Sequence, residues 1–262
     1  MAKCNYWAPP SLSLRWIPVW RRNVLVWQKL AIPSILGNLA DPLIMLFGLG
    51  YGLGAMVGEM QGTSYFAFLA AGFVATSTMY AASFEALYSA FSRMHVQRTW
   101  EAIVNAPLDL DDVLAGEYAW AATKGLAAGA CMLVIVAAFG YARFPYLFAA
   151  LPVIVLIGLA FAGLGLMINA LAHGYDFFSY YMTLVLTPMM MLSGVFFPLE
   201  QMPAAVQVAA KVLPLYHGVA IVRPLLAGEL APGIALHLAV LAAYAIAGFY
   251  LATVLTRRRL LK

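Results

Sequence analysis

The chain has 262 residues, 64% of them hydrophobic and only 10% charged, with a mean hydropathy of +0.87 and a formal net charge of +4. A soluble domain is about a quarter charged, so this composition excludes a water-soluble globular protein. Apolar windows of about 20 residues favour membrane-spanning helices over the shorter alternating strands of a β-barrel.

Residues 1–11, with Pro9 and Pro10, read as a flexible lead. No cleavable signal follows, because Arg15, Pro18, Arg21 and Arg22 interrupt the first apolar residues. Over 12–30, Trp16, Trp20 and Trp27 alternate with Arg15, Arg21, Arg22 and Lys29. That mixture suits a helix lying in the membrane interface, or a basic flank of the first span. From Ala31 to Ser92 there is no Lys or Arg. This stretch predicts spans over 35–57 and 65–88, joined by a tight hairpin at the polar insert 59–64. Asp41 falls either at the interface or part-way into the first span, and Glu85 near the end of the second should meet a basic neighbour. The connection 93–112 has helical character to Val104, is stopped by Pro107, and offers Asp109 as the next N-cap.

Further spans are expected over 119–140, 147–171, 177–197 and 234–256. Lys124 in the third should snorkel to the surface, and Pro188 should kink the fifth. Between the last two, 198–230 contains apolar pieces too short to span, with prolines between them, which reads as a re-entrant segment. With six crossings, twelve of the fifteen Lys and Arg residues fall on one side; only Arg143, Lys211 and Arg223 face the other. The positive-inside rule then places both termini in the cytoplasm. The basic balance reflects this placement, and no nucleic-acid partner is expected.

The chain contains no phosphate-binding loop, no His-Glu-x-x-His and no Gly-x-Ser-x-Gly motif. Its four histidines, His95, His173, His217 and His237, are scattered. No catalytic residue, metal site or cofactor is therefore expected in this chain. A proton-driven carrier would need Asp41 or Glu85 at depth. A membrane-embedded lipid-sugar transferase would have to use Asp109, Asp111 and Asp112, which better suit a helix start. A bundle without its own energy source, carrying a structured cytosolic connection, suggests a pore-forming half driven by a partner.

Several segments, in this order, resemble a known family: Gly37-Asn-Leu-Ala-Asp-Pro-Leu-Ile44, Phe47-Gly-Leu-Gly50, Phe68-Leu-Ala-Ala-Gly-Phe-Val-Ala-Thr76, Gln97-Arg-Thr-Trp-Glu-Ala102, Gly116-Glu-Tyr-Ala-Trp-Ala-Ala-Thr-Lys124, Ser193-Gly-Val-Phe-Phe-Pro198, Arg223-Pro224 and Arg257-Arg-Arg-Leu-Leu261. Together they resemble the membrane subunits of ABC-2 type exporters, most closely the nodulation protein J family. The resemblance implies an all-α polytopic membrane protein of the bacterial inner membrane. It would form one transmembrane domain over 1–262, with six spans, an N-terminal interfacial helix and re-entrant half-helices before the last span. It implies a homodimer working with two copies of an ABC ATPase, which would bind ATP and Mg. It also implies a lipid-linked oligosaccharide cargo, lipo-chitooligosaccharide nodulation factors, with O-antigen-like glycans or drugs as other cargoes of related permeases.

By that resemblance, 98–106 is the coupling helix seated in the ATPase. Arg98 and Glu101 would supply charge contacts, Trp100 an apolar anchor, and Ile103 and Pro107 would complete the segment. An amphiphile with a sugar head needs aromatic platforms and adaptable apolar walls. Tyr80, Phe84, Tyr180, Tyr181, Met189 and Met190, with Met191, could supply these along the path. Phe196, Phe197, Pro198, Tyr216 and His217 could form an exit constriction.

Overall fold

Away from water, backbone N–H and C=O groups must satisfy one another, and helices do this within a single segment. The computed structural model describes residues 6–11, 13–105 and 108–261, and its apolar windows are helical accordingly. Helix α1 (Trp16–Gln28) is followed by α2 (Ala31–Gly52) and the short α3 (Gly54–Val57). The polar insert forms the expected hairpin, β1 (Glu59–Met60) paired antiparallel with β2 (Thr63–Ser64). Gln61 and Gly62 turn it with φ of 51° and 74°, the paired positive values that a two-residue hairpin turn requires.

Helix α4 (Tyr65–Phe84) continues through two π-helical stretches, Glu85–Ser89 and Ser92–Val96, to α5 (Thr99–Val104) and α6 (Leu110–Ala138). Then come α7 (Tyr146–Leu171), α8 (Tyr175–Tyr181), a π-helical turn at Met182–Leu186, and α9 (Thr187–Leu192). The chain closes with α10 (Ala204–Ala210), α11 (Pro214–Ala227) and α12 (Ile234–Leu260). Among the described residues, five helices are long and apolar enough to cross a membrane.

Contacts define two ends of the bundle. At the base, the Tyr6 hydroxyl donates to Leu261 O at 3.4 Å, and Tyr175 lies against Tyr88 and Phe91 with ring centroids 6.1 and 5.2 Å apart. At the crown, Gln61 Nε2 donates to Glu200 at 3.1 Å and Arg143 N donates to Leu226 O at 3.1 Å. The run α8–α9 therefore leaves the base at Tyr175 and reaches the crown, where Gly194 O accepts from Arg223 at 2.6 Å. It is a sixth crossing, less apolar than the others. The pair α10 and α11 bends by 89°. It enters from the crown beside Glu200 and turns near Val212, whose carbonyl accepts from Tyr244 at 2.7 Å. It returns to the crown at Leu226, so it is re-entrant, as its prolines suggest.

The core lies where α4, α6 and α7 meet, with Phe68, Met79, Leu114, Met132, Ile154 and Phe161 fully buried. Helices α7 and α12 cross at Gly163 and Gly248. A Cβ on Gly163 would lie 2.9 Å from Phe249 N, and one on Gly248 3.0 Å from Gly163 C. Only residues without side chains allow backbones this close. The polar stripe Thr76, Ser77 and Thr78 is buried and satisfied within α4, each hydroxyl donating to a carbonyl one turn back.

Four segments differ from the sequence reading. The third span begins at Leu110, not 119, because the acidic residues of its first turns are paired. The second helix continues to Val96 through its π-helical stretches, whose Ala86 and Leu87 carbonyls accept from buried Asn169 Nδ2 at 2.8 and 3.2 Å. The fifth ends at Leu192, not 197, because Gly194 takes a left-handed turn (φ 74°) that tucks Val195 against Gly72. In the lead, Tyr6–Ser11 is held down rather than free. The Tyr6 and Ala8 carbonyls accept from Arg257 at 3.3 and 2.5 Å, and Ser11 N donates to Asp111 at 2.8 Å.

Candidate functional site

Three partly polar regions interrupt the apolar bundle: a charged knot at the base, an aromatic flank on α4 and α8, and a polar cleft at the crown.

The knot is built by elements far apart in sequence. Arg93 Nε donates to Glu117 Oε1 and Oε2 at 2.9 and 3.1 Å, and its Nη2 to Glu117 Oε2 at 2.5 Å and Glu85 Oε1 at 2.9 Å. Two indoles complete the carboxylates, Trp100 Nε1 to Glu117 at 3.2 Å and Trp120 Nε1 to Glu85 at 2.7 Å. The three charged side chains are 8%, 12% and 1% exposed for Glu85, Arg93 and Glu117. One arginine cannot neutralise two buried carboxylates alone, so the indole N–H groups satisfy the remaining lone pairs. Glu85 does meet a basic neighbour, as its position suggested.

The knot sets how α5 sits. Arg98, with φ 49°, breaks the preceding helix and starts the new one. Trp100 is 2% exposed and points inward to Glu117. It is not available as an outward anchor for a partner, which corrects its expected role; it is a positioning residue that fastens α5 to α6. Arg98, Glu101, Ala102, Val104 and Asn105 form the exposed face, and Ile103 is half-buried against the core. A recess of ≈ 390 Å³ lies beside this face, lined by His95, Glu101, Val104 and Leu261 among others. Pro107 lies outside the described residues.

The acidic start of α6 is structural. Asp112 accepts from Asp109 N at 3.3 Å and from the Ser13 hydroxyl at 2.5 Å. Asp111 is paired with Arg257 and accepts from Ser11. Asp111 and Asp112 thus hold chain segments together at the start of α6. Lys124 does not snorkel outward. It is 7% exposed, donates to the Ser34 hydroxyl, and lies 5.0 Å from the Trp27 ring. Outside the spans, burial and the nearby Arg93 lower the pKa of Arg22, while Glu117 opposes them.

The expected path residues divide between two environments. Tyr181 and Met189 are buried in the bundle, and Tyr80 and Met190 are half-buried against the core. Phe84, Tyr180 and Met191 are exposed on its flank, at 48%, 64% and 41%. The rings that come together lie nearer the base. Phe84 stacks on Tyr88 at 4.7 Å, Tyr88 on Tyr175 at 6.1 Å, and Phe178 meets Tyr88 and Phe91 edge-on at 5.3 and 5.1 Å. Tyr88, Phe91, Tyr175 and Phe178 escaped the sequence reading. The signal for Tyr88 was its one-turn spacing from Phe84.

At the crown, Phe196 is buried edge-on against Phe73 at 5.8 Å, Pro198 is buried, and Phe197 is half exposed. Phe196 is therefore a core residue. Tyr216 lines a cleft of ≈ 390 Å³ together with Glu200, Arg223 and His237. His217 is buried beside Tyr216 and shares a 2.7 Å Nδ1–Nδ1 hydrogen bond with His237, while its Nε2 lies 2.8 Å from Lys211 O. Arg223, singled out earlier only as part of a dipeptide, stacks 3.6 Å from the Phe68 ring centre and donates to Gly194 O. It ties the re-entrant helix to α4 and to the end of α9.

A family profile described as ABC-2 type transporter matches residues 16–227. The chain is 53% identical over 255 residues to nodulation protein J of Rhizobium leguminosarum bv. trifolii, covering 97% of each chain. It is 52% identical over 254 residues to nodulation protein J of Rhizobium meliloti, again with 97% of each covered. It is 28% identical over 199 residues to the inner membrane transport permease YadH of Escherichia coli, covering 76% of this chain and 75% of that one.

Proposed function

The chain belongs to the ABC-2 type transporter family, and from that premise we propose that it is the permease subunit of an ATP-driven exporter in the bacterial inner membrane. Its cargo is an amphiphilic lipid-linked oligosaccharide, the lipo-chitooligosaccharide nodulation factors. Two copies work with two copies of a separate ABC ATPase that binds ATP and Mg, and both termini face the cytoplasm.

The observation that carries this reading is likeness to nodulation protein J over nearly the whole length of both chains. The base geometry supports it. An exposed short helix held rigidly by a buried ionic knot is what a soluble motor needs to move membrane helices. The least covered span supports a paired assembly: only 11% of the apolar window of α2 is buried. Asp41 is exposed on that helix and makes no ion pair among the described residues. It lies about 15 Å along α2 from its start at 1.5 Å per residue, where a carboxylate facing hydrocarbon is strongly disfavoured. A second copy or a wet conduit on that face removes the conflict.

The test is reconstitution of the chain with its ATPase in vesicles, with radiolabelled acylated chitooligosaccharide supplied on the ATPase side. ATP-dependent movement of the label, lost without the ATPase, is the expected result. Equal movement without ATP would overturn the reading.

A further inference from the structure

A second cleft, of ≈ 280 Å³, opens at the base between α1, the start of α2 and the lower parts of α4 and α6. The transport reading uses Phe84, Glu85 and Arg93 of its lining and gives no role to the wall formed by α1. Asn23, 4% exposed, lines it; its Oδ1 accepts from Arg22 Nη1 at 3.1 Å, and its Nδ2 has no partner. Trp27 also lines it, and its buried Nε1 has no partner. Both orphaned groups are donors, and a buried donor without an acceptor is destabilising. Arg22 and Lys124 add positive charge to the same wall.

Among the described residues, no acceptor reaches either donor. Glu85, the carboxylate lining the cleft, is held by Arg93 and Trp120, and Glu117 behind it is held by Arg93 and Trp100. The missing partner is therefore an acceptor from outside the fold, and the neighbouring cations favour an anion. The cleft also borders apolar side chains that face outward: Val26, Leu30 and Phe84 are 57%, 63% and 48% exposed. In an interfacial helix this is the level where acyl chains begin.

We propose that this cleft binds the phosphate or sulfate headgroup of an anionic amphiphile, held by Arg22, Asn23, Trp27 and Lys124, with its acyl chain against Val26, Leu30 and Phe84. The shared chemistry has two sources: a membrane phospholipid, or an acidic substituent on a glycolipid cargo.

The test uses the delipidated full chain in detergent and native mass spectrometry. The probes are phosphatidylglycerol against diacylglycerol, which lacks the phosphate, and a sulfated N-acylated chitooligosaccharide against its unsulfated form. At least one anionic member should bind about tenfold tighter than its partner, the loss expected when one charge-assisted hydrogen bond is removed. Preference in the phospholipid pair identifies the membrane as the source, and preference in the glycolipid pair identifies the cargo. The preference should fall in Asn23→Leu and Lys124→Met and persist in Arg21→Gln, whose side chain is exposed on α1. Should those two variants misfold, Trp27→Phe removes the indole N–H while keeping an aromatic ring at the position, and should weaken the same preference severalfold. Equal binding within both pairs, or a preference untouched by every foldable variant of the cleft, overturns the proposal. The measurement involves neither ATPase nor transport, so its failure leaves the exporter reading standing.

Discussion

Replacing Glu117 with Gln keeps the side chain's size and removes its charge, which isolates the knot from the packing around it. Glu117 accepts from Arg93 Nε, Arg93 Nη2 and Trp100 Nε1, and is 1% exposed. A glutamine offers one oxygen and one NH2 group, so one of the Arg93 donors would face another donor. The loss is about 2 kcal/mol, one charge-assisted hydrogen bond, and less than the roughly 3–5 kcal/mol of truncating a buried pair. At about 1.4 kcal/mol per decade, that shifts the balance between fastened and released α5 by about 30-fold. The ATPase should still dock on the outer face of α5, whose Arg98 and Glu101 are unchanged, and hydrolyse ATP. Cargo moved per ATP in vesicles should fall by about tenfold or more. Trp100→Phe should give a fall in the same direction, because it loses one donor to the same carboxylate at about 1.5–3 kcal/mol. A normal ratio of cargo to ATP in Glu117→Gln, with normal membrane insertion, would refute the reasoning.

Gly163→Ala places a methyl group 2.9 Å from the Phe249 backbone. Overpacking of this kind costs about 1–3 kcal/mol and should lower the thermal midpoint measured by fluorescence-detected size exclusion; an unchanged midpoint would mean that α7 and α12 do not touch there. Asp111→Asn removes the charge that pairs with half-buried Arg257, at roughly 3 kcal/mol. Residues 6–11 should then be released, with faster chymotryptic cleavage at Tyr6 and Trp7 than in the parent chain. Asp41→Cys, in a chain whose Cys4 and Cys131 are replaced by Ala, should react with a membrane-impermeant maleimide if α2 faces a wet conduit. Protection from the reagent in the assembled complex would place Asp41 in a dry contact instead.

The spans were legible because hydropathy acts over windows about as long as a membrane is thick, and windows of that length tolerate local error. Their ends were not, because the residues that decide them are satisfied by partners distant in sequence. Glu117 can sit inside α6 only because Arg93 and Trp100 reach it, and no local pattern shows that pairing. The connection after the second span read correctly as a short helix with Arg, Trp and Glu. Which of its faces turned inward depended on a carboxylate seventeen residues on. The same holds at the crown, where Phe196 and Phe197 are adjacent and chemically alike. The left-handed Gly194 sends one into the core against Phe73 and leaves the other half exposed. The re-entrant segment was legible because its prolines break apolar runs too short to span.

These details also bear on how motion would travel. A force on α5 reaches α6 through Trp100 and Glu117, and reaches the extension of α4 through Arg93 and Glu85. That extension is π-helical on both sides of Ala90 and Phe91, and π turns hold weaker, shiftable backbone bonds. Its freed carbonyls rest on Asn169 of α7, whose own carbonyl accepts from Arg259 of α12 at 3.0 Å. Its outer face carries Tyr88 against α8, with Phe84 stacked on Tyr88 at 4.7 Å, at the start of the least apolar crossing. A rigid knot next to an adjustable helix would convert a push at the base into a slide of α4 against α8, where the exposed aromatic rings lie. If so, a short, reducible bis-methanethiosulfonate cross-link joining Tyr88→Cys to Ser179→Cys, whose parent hydroxyls meet at 3.4 Å across the length of the tyrosine ring, should stop transport while leaving ATP hydrolysis intact. Reduction should restore transport. Full transport with the bridge formed would mean that the two helices move together and the slide lies elsewhere.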